Sequence, residues 1–221
     1  MIKLVAIDFD ETLCMTEEST YFIENSVAVS MGHDPMSREV HQKTWGQELE
    51  MAIQERVPGI NVEKFMKLLP EAHMIAVEEG NIDIVSPENI QALDKILENN
   101  LRLALLTSRS IDEANHLMHE THPLNTRMEK YYYKENSDFL KPDPRVFDKV
   151  LKDFDLKPYE IVYVGDAVSD AVAAKGAGLH FVAVLEGGIR VKEDFKHLPV
   201  DYFATTFLEA TNYILSLTSK L

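Results

Sequence analysis

Cysteine is nearly absent from this chain of 221 residues: Cys14 stands alone, so no intrachain disulfide can brace the fold and a cysteine-rich zinc site has no ligands. Basic residues are scarce as well, with 22 Lys and Arg against 37 Asp and Glu, a formal charge of −15 and a pI near 4.9. Polyphosphate backbones and anionic lipid surfaces are gripped by Lys and Arg, so this balance argues against nucleic acid or a membrane as the main partner. No apolar run is long enough to cross a bilayer, and the first is interrupted at Asp8 too soon for a secretory signal, which makes a reducing cytoplasm the expected location. Internal repeats and low-complexity segments are lacking too. What remains is the composition of an ordinary soluble globular protein, able to bury a sizeable core as one domain with an insertion or as two small domains, and compatible with a monomer or a homodimer.

The chain begins with Ile2-Lys3-Leu4-Val5-Ala6-Ile7-Asp8-Phe9-Asp10-Glu11-Thr12, an apolar β-type run ending in two carboxylates one residue apart. Such a run fits a strand buried on both faces, as in a parallel sheet covered by helices, and ligands in such sheets bind beyond the carboxyl ends of the strands. From residue 15 to 85 the spacing turns helical and acidic residues outnumber basic ones by more than two to one, which reads as an inserted helical unit with a solvated surface. Within it, Val62, Phe65, Met66, Leu68 and Leu69 predict a helix that stops before Pro70.

From Ser86 onward strand and helix alternate. Ser86-Pro87 caps a helix through Leu97, Leu101–Leu106 is a second strand, Ser110-x-x-Glu113 a capping box, and Tyr131–Tyr133 a third strand. A helix over Pro144–Phe154, strands Ile161–Val164 and Phe181–Leu185 with a helix Ser169–Ala177 between them, and a last helix capped by Thr206-x-x-Glu209 complete the pattern. Five strands in β-α alternation predict an α/β fold with a doubly wound parallel sheet; the expected division is a core of 1–14 and 86–221 with a helical insertion of 15–85.

Polar clusters fall where strands end: Asp8 and Asp10, then Thr107-Ser108-Arg109, then Gly165-Asp166 with Asp170 four residues on, and Lys141 in the loop before Pro144. In this order they resemble the four motifs of the haloacid dehalogenase superfamily: Asp8-Phe9-Asp10-Glu11-Thr12 as D-x-D-x-T, Thr107 as the Ser/Thr of strand two, Lys141-Pro142-Asp143-Pro144 as the lysine motif, and Gly165-Asp166-Ala167-Val168-Ser169-Asp170 as G-D-x-x-x-D. A helical insertion directly after the first motif resembles the phosphoglycolate phosphatase-like branch. The resemblance implies a Rossmann-like core with a helical cap, and a magnesium-dependent phosphatase acting on a small phosphorylated metabolite through an aspartyl-phosphate.

In that reading Asp8 is the nucleophile and Asp10 the acid and base, while Thr107 and Lys141, with Ser108 and Arg109 beside them, hold the phosphate. Asp8, Asp166 and the Asp10 carbonyl would ligate Mg2+, with Asp170 acting through water or orienting Lys141. Two like charges about 4 Å apart repel by roughly 4 kcal/mol at an effective dielectric near 20, so such a cluster calls for a cation. A phosphomutase of the β-phosphoglucomutase type and a non-catalytic phospho-ligand module are the alternatives, and the retained Asp10 argues against dehalogenation. Two departures stand out: Glu11 replaces a glycine frequent in the branch, and Cys14-Met15-Thr16 stands where relatives often have an Asp-Ser pair. In the insertion Arg38, His41, Lys43, Trp45 and Arg56 are the groups that could face substrate, each more commonly surface or cap core.

Overall fold

The computed structural model describes residues 1–218. It divides into two compact units, Met1–Cys14 with Val85–Leu221 and Met15–Ile84.

In the first unit the apolar runs pair side by side as β1 (Leu4–Ile7), β2 (Arg102–Leu106), β3 (Lys130–Tyr132), β4 (Ile161–Gly165), β5 (His180–Val184) and β6 (Tyr202–Ala204). Their spatial order is β3-β2-β1-β4-β5-β6, every neighbouring pair is parallel, and the order reverses at β1. Ile7 is level with Leu105 on one side and Val164 on the other. The ends of β1, β2 and β4 therefore share one edge at the switch point, where a doubly wound sheet opens a crevice.

Alternation along β1 fixes the layers. Val5 and Ile7 enter one core with Leu103, Leu105 and Val164, while Leu4 and Ala6 enter another with Ala104, Leu106 and Phe181. Ala92, Leu93 and Ile96 of one helix and Ala210 and Ile214 of the last helix seal the first core; Val150, Phe154, Ala171 and Ala174 seal the second. Both faces of β1 are apolar because both are covered.

The second unit holds α1 (Glu17–Ser30), α2 (Arg38–Lys43), α3 (Leu49–Arg56) and α4 (Val62–Glu78), packed over Val27, Ala28, Ile53 and Phe65. The first unit adds α5 (Pro87–Glu98), α6 (Ile111–Ala114), α7 (Asp148–Phe154), α8 (Val168–Gly176) and α9 (Phe207–Thr218).

Three local expectations differ from the structure. The helix expected to stop before Pro70 runs through it to Glu78. Pro70 is exposed, so water can meet the Met66 carbonyl that loses its N–H partner, while Phe65 and Ala76 stay buried on the packed side. The capping box at Ser110 and Glu113 forms, but α6 is a single turn continued by the 3-10 turn Asn115–Met118. A sixth strand, β6, extends the sheet beyond the five expected.

Candidate active site

β1 ends at Ile7, but the Asp8 N–H still donates to the Val164 carbonyl (2.9 Å), so the first carboxylate is fixed by the ladder. The chain then doubles back: the N–H groups of Leu13 and Cys14 both donate to the Phe9 carbonyl at 3.0 Å, and Glu11 N–H donates to the Cys14 carbonyl at 2.8 Å. This tight turn sends the two carboxylates to different partners.

Asp8 joins a buried cluster. Lys141 Nζ lies 2.9 Å from Asp8 Oδ1 and 2.7 Å from Asp170 Oδ1. It also donates to the Tyr163 hydroxyl at 3.1 Å, and that hydroxyl donates to the Leu106 carbonyl at 3.2 Å. Asp170, fully buried in the first turn of α8, has its second oxygen fixed by the Ala167 N–H at 3.0 Å. Asp8, Asp166 and Asp170 each offer a carboxylate oxygen within 4.8 Å of the others.

The electrostatics follow from burial. Desolvation pushes the Asp8 carboxyl up to about 7, with Asp170 and Asp10 adding repulsion and Lys141 pulling the other way. Asp166 is pushed well above the ordinary carboxylate range by burial first, then by Asp170 and Asp8. Burial opposes the charge on Lys141, but Asp170 and Asp8 outweigh it and hold its ammonium well above the usual lysine value. Burial, then Asp170, likewise drives the Tyr163 phenol well up.

Three buried carboxylates around one ammonium leave an excess of negative charge, and an all-oxygen set of this kind fits a hard divalent cation. Such an ion would reverse the upward push on Asp8 and Asp166.

Asp10 turns instead to Arg109. Arg109 Nε donates to Oδ2 at 3.0 Å and Nη2 to Oδ1 at 2.7 Å, a two-pronged ion pair across 99 residues of sequence. Thr107, buried, follows β2; its N–H donates to the Tyr132 carbonyl and its Oγ1 accepts from the Arg109 N–H at 3.2 Å. Ser108 is exposed at the same strand end. Tyr163 is the residue that sequence reasoning missed, because a tyrosine within Ile-Val-Tyr-Val-Gly reads as core; the signal was the need of a buried hydroxyl for partners two residues before the Gly-Asp motif.

A model of haloacid dehalogenase-like hydrolases matches residues 5–184. The chain belongs to that family. It is 27% identical to a phosphoglycolate phosphatase of Nitrosospira multiformis, with 96% of each chain covered. It is 24% identical to phosphoglycolate phosphatase 1 of Pseudomonas aeruginosa, over 90% of this chain and 76% of that one. Among solved structures, CbbY from Rhodobacter sphaeroides in complex with phosphate superposes with a TM-score of 0.79 at 22% identity, covering 95% of this chain and 96% of that one. This is a haloacid dehalogenase-like enzyme of the phosphoglycolate phosphatase-like branch, a phosphoric monoester hydrolase. No helix among the described residues is long and apolar enough to cross a membrane.

Of the groups in the insertion that could have faced substrate, His41 and Arg56 are buried within the second unit. His41 Nδ1 shares a 2.6 Å hydrogen bond with Glu17, and Arg56 grips both oxygens of Glu24 at 2.7 and 2.6 Å while donating to Thr44 Oγ1. Arg38 pairs with Glu17 and Lys43 with Glu55.

Proposed function

We propose that the protein is a magnesium-dependent phosphatase of small phosphorylated metabolites that works through an aspartyl-phosphate on Asp8. The observation that carries this reading is the buried set of Asp8, Asp166 and Asp170 around Lys141, with Asp10 two residues beyond the nucleophile. A bound magnesium ion, held by Asp8, Asp166 and the Asp10 carbonyl, would neutralise charge on the transferring phosphoryl group.

The chain's own groups do the rest. Asp8 Oδ attacks phosphorus in line as the ester P–O bond breaks, and Asp10 gives a proton to the leaving oxygen. Lys141 and the Thr107 hydroxyl stabilise phosphoryl oxygens where charge develops, with Ser108 on the same rim. Water then attacks the aspartyl-phosphate, its proton passes to Asp10, and Asp8 is released. Asp170 orients Lys141.

The test is hydrolysis of p-nitrophenyl phosphate with and without Mg2+, for the native chain and Asp8→Asn, followed by a phosphate-ester screen headed by phosphoglycolate. Turnover should require magnesium and vanish in the variant. Magnesium should also raise the melting temperature, since a ligand at 100 times its Kd adds about 2.7 kcal/mol. Turnover that persists in excess chelator refutes the metal assignment.

A further inference from the structure

We propose that Arg109 is a positioning residue whose target is Asp10, and that it fixes this carboxylate as the base of the second half-reaction. The role rests on the aspartyl-phosphate reading above and adds to it a residue that acts without touching the substrate.

The guanidinium is fastened on every side. Its Nε and Nη2 engage the two oxygens of Asp10 at 3.0 and 2.7 Å, and Nη1 donates to the Glu113 carbonyl of α6 at 3.4 Å. Its Cζ lies 4.8 Å over the Phe9 ring, and its own N–H is held by Thr107 Oγ1. Phe9 stands between the two catalytic aspartates in sequence, so Arg109 braces the Asp10 carboxylate and the backbone that carries it. A planar fork of two parallel N–H groups sets the plane of a carboxylate as well as its position, which a lysine cannot do.

The reaction has two demands on Asp10. In the first step it gives a proton to the leaving oxygen; in the second, water adds to phosphorus, the P–O bond to Asp8 breaks, and the water proton moves to an Asp10 oxygen. A carboxylate whose two oxygens both accept from a guanidinium is arranged for the second demand: it is an oriented acceptor. The capping box of Ser110 and Glu113 holds the other end of the brace, since the Glu113 carbonyl belongs to the turn that this box starts. Removing the fork lets the carboxylate rotate, and a misplacement of about 1 Å can cost on the order of 100-fold in rate.

An aryl phosphate separates the two steps. Nitrophenolate leaves without a proton, so the first step bypasses Asp10 and the second does not. Rapid-mixing kinetics with p-nitrophenyl phosphate and Mg2+ on the native chain, Arg109→Met and Arg109→Lys provide the test. The Met variant should release a burst of nitrophenolate approaching one per active site, followed by a steady state slowed roughly 10- to 100-fold, with kcat falling by more than kcat/KM. The Lys variant, which keeps the charge and loses the fork, should fall between, and it carries the test if the Met variant does not fold. A rise in KM with kcat retained would make Arg109 a direct substrate contact and overturn the proposal. So would equal losses in kcat and kcat/KM without a burst. If the native chain hydrolyses no ester with Mg2+, the phosphatase reading itself falls and takes this role with it.

Discussion

Gly165 closes β4 immediately before Asp166, and a methyl group there tests how tightly the buried cluster is packed. A Cβ at this position would lie 2.5 Å from Asp170 Oδ2, 2.6 Å from its Cγ and 2.7 Å from its Cβ. To regain an ordinary contact of 3.4 Å the Asp170 side chain has to retreat by about 0.9 Å, and it lies in the first turn of α8 with no free space behind it because it is fully buried. That retreat acts on the 2.7 Å contact to Lys141 and the 3.0 Å bond from the Ala167 N–H, so Lys141 loses the group that aims it at Asp8. Overpacking of this kind costs about 1–3 kcal/mol, which for a chain of this length is a fall in melting temperature of roughly 3–10 °C. Displacing the catalytic cation should lower kcat by about 100-fold. Thermal unfolding and steady-state hydrolysis of Gly165→Ala, with Mg2+ present, measure both. Gly178→Ala is the comparator, since it has φ 78° and only Pro158 at 3.6 Å; backbone strain should lower its melting temperature without changing kcat. Gly165→Ala with kcat within twofold of native would refute the reasoning, because Asp170 would then have yielded without consequence for Lys141.

Two further outcomes concern groups away from the cluster. The Glu209 carboxyl is drawn down to about 2 by hydrogen bonds from the Thr205 side chain and N–H and from the Tyr202 hydroxyl. Its folded value lies below the ordinary 4.5, so its stabilisation is complete above 4.5 and fades as pH falls toward 2; the melting-temperature gap between native and Glu209→Gln should shrink over that window, and a gap that widens on acidification contradicts the sign. In the second unit, Arg56→Met leaves the buried Glu24 without its guanidinium and should destabilise that unit by about 3–5 kcal/mol, with Glu24→Leu in the same chain recovering part of the loss. Hydrogen exchange confined to residues 15–84 reads it; uniform protection there in the single variant would show that the pair contributes little.

The sheet was legible because each buried strand is an apolar run ended by a polar residue, and because a strand covered on both faces needs no alternation to be seen. The same rule exposed Asp8, Thr107 and Asp166, which begin where the apolar runs stop. Lys141 and Asp170 lie outside strands and were legible only through motif spacing. Tyr163 was not: inside an apolar run a tyrosine carries the same signal as a core residue, and only the third dimension shows its hydroxyl between Lys141 and Leu106. His41 and Arg56 show the converse. A basic side chain in a helical segment reads as surface, as cap core or as a ligand, and only the structure decides among them: Glu17 and Glu24 draw both into the interior of the second unit. Pro70 was over-read, since a proline on an exposed helix face costs less than the packing of Phe65 and Ala76 returns.

Glu11 stands where the motif resemblance leads to the expectation of a glycine, and the structure gives that position a physical context. Residue 11 has φ 54°, the left-handed region in which a side chain costs roughly 1–2 kcal/mol and glycine costs nothing. The turn from Phe9 to Cys14 demands that conformation whatever residue stands there, because it is what brings the Glu11 N–H to the Cys14 carbonyl. The glutamate is nonetheless buried, and its Oε2 occupies the space that a Cβ at Gly187 would need, so the side chain at 11 is matched by the absence of one at 187. It also adds to the repulsion that raises Asp166. Strain and charge of the same residue thus converge on the edge of the sheet that already holds Asp8, Asp166 and Asp170. A fourth carboxylate near that edge strengthens the negative potential into which a divalent cation would fall.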